Sequence, residues 1–237
     1  MVIEFLVNRE SLVNTFPTRL ALALALAAGT VMPCHAGTIW TNYDMTSVAG
    51  ASTTWLTSLS VSGNTIAVGT YWGGVCISTN GGATWTTKTS QDGLPGDDVR
   101  GVYVNGNTIY AATSGGGLGI STDGGATWTT VTDGGYLLNR VYASGGAIYT
   151  ANSDGISVST DGGTTWTSYG DSSFGATPGW GVYAAGSTIY AATQGGLGVS
   201  TNGGTDWTTY NGSTPGFGGD IVMSAFASGS TIYAGTL

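Results

Sequence analysis

The stretch ISTDGGATW occupies Ile120–Trp128, and near copies stand as ISTNGGATW at 77–85, VSTDGGTTW at 158–166 and VSTNGGTDW at 199–207. Each copy has a serine in second place (Ser78, Ser121, Ser159, Ser200) and closes on a tryptophan (Trp85, Trp128, Trp166, Trp207). Between them, Asp123 and Asp161 alternate with Asn80 and Asn202 at one position. An amide oxygen accepts backbone hydrogen bonds as a carboxylate does, but it cannot replace an acid or a nucleophile. The exchange therefore reads as a turn device. The Asp or Asn takes N–H groups two or three residues on, Gly82, Gly125, Gly163 or Gly204 supplies left-handed backbone, and the Trp packs beneath.

The closing tryptophans, preceded by Trp40 in TIWTNY, are spaced by 45, 43, 38 and 41 residues. A period in this range built of short strands indicates propeller blades. Each unit reads as four strands: one such as RGVYVNG (100–106), a second such as TIYAAT (108–113), a third such as LGIST (118–122), and a fourth that begins at the Trp. Third-strand sites Cys76, Gly119, Ser157 and Gly198 are small between branched neighbours, which suits closely approaching sheets and makes Cys76 a packing residue. The expected fold is all-β: a propeller of four-stranded antiparallel blades over 56–90, 99–132, 139–169, 180–211 and 222–237, the last incomplete. Stacking around an axis buries faces that a lone blade would leave wet, about 2–3 kcal/mol for each buried Trp.

The pattern Ser-x-Asp-x-Gly-x-x-Trp resembles the Asp-box, or BNR repeat, of sialidases and other bacterial propellers, and the resemblance runs through 37–237. In that family the turns lie at the periphery, away from the catalytic centre. Sialidases rely on three arginines and a Tyr–Glu pair, whereas 37–237 holds two arginines and no glutamate, so sialidase activity is rejected. The photosystem-assembly type of this propeller carries an arginine-rich patch, which two arginines do not make. Some members cut plant glucans with two aspartates, and Asp97 or Asp98 with Asp171 or Asp220 is the nearest match here.

Leu20–Met32 is an apolar run of 13 residues behind Arg19, followed by Cys34-His35-Ala36. It is short for a bilayer span and ends in a small-x-small cleavage pattern, so residues 1–36 read as a secretory signal, with a retained anchor as the alternative. The remainder carries eleven Asp against Lys88, Arg100 and Arg140, a net charge of −8. Such acidity repels nucleic acid and anionic membranes, which excludes both as partners. Without histidine after cleavage, hydrolysis built on histidine is excluded, and no metal or cofactor is expected. Cys76 stands alone there, so no internal disulfide forms.

Ligand chemistry is expected where strands two and three join and where one blade leads to the next. Apart from Asp123, Asp161 and Asp206 in the motifs, all eight other acids map to those connections: Asp44, Asp92, Asp97, Asp98, Asp133, Asp154, Asp171 and Asp220. They serve either as a cation or paired-carboxylate site or as solubilising charge on long loops. Trp55, Trp72 (preceded by Tyr71) and Trp180 depart from the repeat. Trp180 and Arg100 stand at equivalent entrances to inner strands, with Arg140 one residue later in its blade. Aromatics beside polar groups suit sugar rings, while Trp180 equally suits a plug for the central channel. The chain reads first as a secreted, non-catalytic recognition or scaffold module for glycan or extracellular protein. A stalk or sensor segment comes next, then the two-aspartate glycosidase.

TIYAGT at 231–236 has no third strand after it, and Thr38–Tyr43 is expected to serve as the fourth strand of that last blade. A fragment of a longer propeller is favoured over a five-bladed closure, and open sheet edges predict self-association.

Overall fold

Alternating small and apolar residues drive each repeat into an antiparallel meander, because only pairing through a sheet satisfies backbone groups while burying both faces. The computed structural model describes residues 21–22, 41–42, 55–132, 136–174 and 178–237. Two short strands, β1 (Ala21–Leu22) and β2 (Thr41–Asn42), pair with each other. The first blade is β3 (Leu56–Ser62), β4 (Thr65–Thr70), β5 (Val75–Ser78) and β6 (Thr86–Lys88). The second is β7 (Val99–Asn105), β8 (Thr108–Thr113), β9 (Gly117–Ser121) and β10 (Thr129–Val131). The third is β11 (Leu138–Ser144), β12 (Ala147–Asn152), β13 (Gly155–Ser159) and β14 (Thr167–Tyr169). The fourth is β15 (Gly179–Ala185), β16 (Thr188–Thr193), β17 (Gly196–Ser200) and β18 (Thr208–Tyr210), followed by the pair β19 (Val222–Ser228) and β20 (Thr231–Thr236). Strands bond in sequence order within every blade. One helical turn, α1 (Asp171–Phe174), follows β14.

Blades cohere through the faces between them. Val75, Ile77 and Ala67 of the first blade pack on Val102, Val104 and Ile109 of the second. Similar clusters join the second blade to the third, the third to the fourth, and β16 with β17 to β19. The tryptophans of the motif are half-buried, each packed against a cluster that, for Trp128, Trp166 and Trp207, is shared between neighbouring blades. Trp128 packs with the cluster between the first and second blades, Trp166 with that between the second and third, and Trp207 with that between the third and fourth. Trp85, in the first blade, packs on that blade's own outer cluster around Ile66, Val68 and Cys76.

The turn chemistry is the same in all four copies. The serine Oγ accepts from the second glycine's N–H at 2.8 Å and donates to the Asp or Asn Oδ1 at 2.8–3.0 Å. That oxygen then accepts the N–H four residues on at 2.9 Å, from Thr84, Thr127, Thr165 or Asp206. The oxygen thus reaches four residues on in every copy, and that of Asp161 also accepts the N–H of Thr164, three residues on, at 3.1 Å. Nε1 of Trp85, Trp166 and Trp207 donates to the second glycine's carbonyl.

The arc of blades is not closed into a ring. Thr41–Asn42 bonds to Ala21–Leu22 and not to β20, so the expected fourth strand for the last blade is not formed by its described residues. Physically, Ala21 and Leu22 lie in an alternating apolar run that offers a competing β edge. The remainder of 1–36 and of 38–43 lies outside the described residues.

Candidate functional site

In a meander the turns between strands two and three share one rim with the blade-to-blade connections. The approach to each inner strand on that rim is built alike. The N–H of Tyr71, Ser114, Ser153, Gln194 and Leu237 donates to the carbonyl of Trp55, Asp98, Leu137, Pro178 and Ile221. The register then slips by one residue two positions later, leaving Thr57, Arg100, Asn139, Trp180 and Met223 as the extra residues of five equivalent bulges. Bulges re-aim side chains and interrupt the ladder, so the neighbouring blade has to satisfy carbonyls they release. Thr57 Oγ1 donates to Val99 O, and Asn139 Nδ2 donates to Gly179 O at 2.8 Å.

Arg100 and Trp180 therefore occupy equivalent seats, and Arg140 follows its bulge by one. Arg100 turns back on its own blade, where Nη2 lies 3.0 Å from Asp98 Oδ2 and Nε lies 3.1 Å from the same oxygen. Asp98 is 3% exposed, so this carboxylate is buried by its partner rather than left for solvent or substrate. The Arg100 guanidinium also sits 5.8 Å above the centroid of Tyr71, within cation–π range. Arg140 Nη1 donates to the carbonyls of Arg100 and Asn139. Trp180 is half-buried, and its Nε1 is buried with no hydrogen-bond partner among the described residues.

Beside Arg100 three aromatic rings meet. Trp55 and Tyr71 lie 5.9 Å apart, and Tyr71 meets Trp72 edge-on at 5.9 Å. Trp55 is 66% exposed and Trp72 63%, while the other tryptophans among the described residues are at most half-exposed. Trp72 has φ 63°, the one non-glycine residue in the left-handed region among the described residues. Alignment of the turns by their hydrogen bonds puts Gly115, φ 99°, at the same point of the second blade. A tryptophan thus holds a seat that backbone geometry assigns to glycine, at a cost of about 1–3 kcal/mol. The sequence marked Trp72 but not Trp55 and Tyr71 as site residues; the signal available was three ring residues flanking one strand pair.

The remaining acids mostly tie down their own loops. Asp97 Oδ1 accepts from Ser90 N at 2.7 Å, and Asp92 caps Thr89 N at 3.0 Å. Asp220 Oδ1 accepts from Gly212 N at 2.8 Å. Asp171, exposed, begins α1. Asp97 and Asp98 belong to the link between the first two blades, Asp171 to that between the third and fourth, and Asp220 to the approach to β19. Asp44 and Asp133 lie outside the described residues. No group of three potential metal-ligating acids, histidines or cysteines forms among the described residues. Burial pushes the Cys76 thiol up, partly offset by its contact with Thr87. No helix among the described residues is long and apolar enough to cross a membrane.

Residues 37–178 match the family model described as the DUF6242 beta propeller domain. No curated protein matches the chain. Among solved structures it is similar to an ancestral GH74 enzyme at 21% identity and TM-score 0.58, over 72% of this chain and 25% of that one. It is also similar to the extracellular domain of a putative one component system from B. thetaiotaomicron, at 14% identity and TM-score 0.65, over 78% of this chain and 26% of that one. YCF48 bound to D1 peptide aligns at 16% identity and TM-score 0.52, over 70% of this chain and 57% of the other. The chain thus spans about a quarter of the length of the first two.

Proposed function

We propose, for a chain that belongs to the DUF6242 beta propeller domain family, that it acts outside the cell as a non-catalytic recognition module binding carbohydrate on the Trp55–Tyr71–Trp72 rim. The observation that carries this reading is Trp72, an exposed indole in a strained glycine seat. Strain at an exposed aromatic persists where the side chain's use outweighs the local loss of stability. Sugar rings present apolar C–H faces that stack on such indoles, while Arg100, pinned by Asp98, offers donors to hydroxyl groups at the edge.

Extracellular action rests on the leader-like pattern of residues 1–36 and on similarity to the extracellular domain of a bacterial sensor. A binding role is favoured over hydrolysis because Asp97 and Asp220 already accept backbone N–H groups and Asp98 is ion-paired within the protein. Glycan-array binding with wild type and Trp72→Ala tests the reading. Signal that falls at least tenfold in the variant supports it; equal signal, or turnover of a polysaccharide that Asp97→Asn abolishes, overturns it.

A further inference from the structure

Three cations lie in 37–237, and one of them, Arg100, is ion-paired, with the buried Asp98. Lys88 closes its strand and lies near Asp92, whose carboxyl is held low chiefly by hydrogen bonds from Thr89. Arg140 has no such partner. Its Nη1 is held by two neutral carbonyls, those of Arg100 and Asn139, and Arg100–Asp98 is the one ion pair among the described residues. The space for it is made by glycine: a Cβ on Gly101 would come 2.8 Å from the Arg140 Cα. Gly181 takes the corresponding position in the fourth blade. Arg140 is exposed on the rim, and no acid among the described residues pairs with it.

The guanidinium is therefore a positive charge that the protein itself leaves unbalanced, on a molecule of net charge −8. Its anchor is the backbone of Arg100, the residue whose side chain lies over Tyr71. Fixing one Nη on carbonyls leaves the other edge of the planar fork, which matches the two oxygens of a carboxylate. We infer that the rim recognises an acidic glycan, with the carboxylate of a uronate-type residue paired to Arg140 and another sugar ring stacked on the Trp55–Tyr71–Trp72 platform, the two linked through Arg100. This inference rests on the carbohydrate-binding reading above and names the ligand's chemical class.

The test is binding of the full chain to matched sets of oligosaccharides: uronate-bearing oligomers, their neutral methyl esters, and neutral hexose oligomers, with poly-glutamate as an acidic peptide. Wild type is expected to bind one or more uronate oligomers at least tenfold more tightly than the corresponding ester, with affinity falling as salt rises. Arg140→Gln is expected to equalise acid and ester, and Arg140→Lys to retain part of the preference; unchanged thermal unfolding of both variants shows that they fold. Equal binding of acid and ester by wild type, or no effect of Arg140→Gln, overturns the acidic class while leaving carbohydrate recognition standing. Binding of poly-glutamate that survives Trp72→Ala assigns the surface to peptide and overturns the inference. Binding of no oligosaccharide overturns both readings.

Discussion

At the scale of single residues, the same chemical types do unlike work according to the turn that holds them. Trp128 and Trp207 join blades, whereas Trp72 sits at φ 63° in the open. Replacing Trp72 with glycine should leave thermal stability unchanged or raise it by about 1 kcal/mol, because strain is relieved while the unfolded chain gains freedom. Calorimetry alongside sugar binding checks this: a stable variant that no longer binds is the expected pair of results. The motif acids give a second prediction. Hydrogen bonds from Thr165 hold the Asp161 carboxyl down to about 2, from an ordinary 3.8, and those from Thr127 and Ser121 hold Asp123 well below that range. A carboxyl depressed in the folded state contributes stability that is complete above its unfolded value and is lost as pH falls through the folded one. Unfolding temperature should therefore drop between pH 4 and about 2, and the doubly substituted Asp123→Asn, Asp161→Asn protein should show a shallower drop. The amides at Asn80 and Asn202 do not titrate and contribute nothing to this slope.

At the scale of elements, the motif is a contact between blades as much as a turn within one. Gly125 has φ 92°, and a Cβ there would lie 2.3 Å from the Ile77 Cδ1 of the preceding blade. Gly125→Ala should cost about 1–3 kcal/mol, part from backbone strain and part from that collision. Because the obstructing atom is the end of a flexible chain, adding Ile77→Val should recover the collision share and leave the strain share. Denaturant midpoints of the single and double variants measure the split. Inner strands show a related device: Tyr103, Tyr142, Tyr183 and Phe226 meet edge-on or tilted from blade to blade, with ring centroids 4.9–5.0 Å apart. In the first blade the register puts Ser60 at that step, and its Oγ instead accepts Val104 N at 2.9 Å.

At the scale of the whole molecule, an open arc exposes what a ring would cover. Ile109 of the second blade's TIYAAT is 0% exposed, while Ile232 of TIYAGT is 45% exposed. Among the described residues β20 bonds to β19 along one edge and to no strand along the other. Such an edge templates another strand, so sedimentation velocity should reveal mass-dependent association of the wild type. Ile232→Lys should shift the distribution toward monomer, since charge on an edge blocks further pairing.

Repeat spacing, strand count and turn chemistry were legible in the amino-acid sequence because they are local. A serine, an amide or acid oxygen and two glycines within six residues dictate one hairpin, and its recurrence every forty or so residues dictates stacked blades. Tertiary structure alone decided what the turn leans on, where β2 pairs, and which loop residues meet. Trp55 and Trp72 are 17 positions apart and meet only because the pairing of β3 with β4 brings Trp55 back to Tyr71, and Arg140 reaches Arg100 across 40 residues. Those meetings depend on the register of neighbouring blades and on five bulges, which arise from packing between sheets rather than from the preference of any one segment.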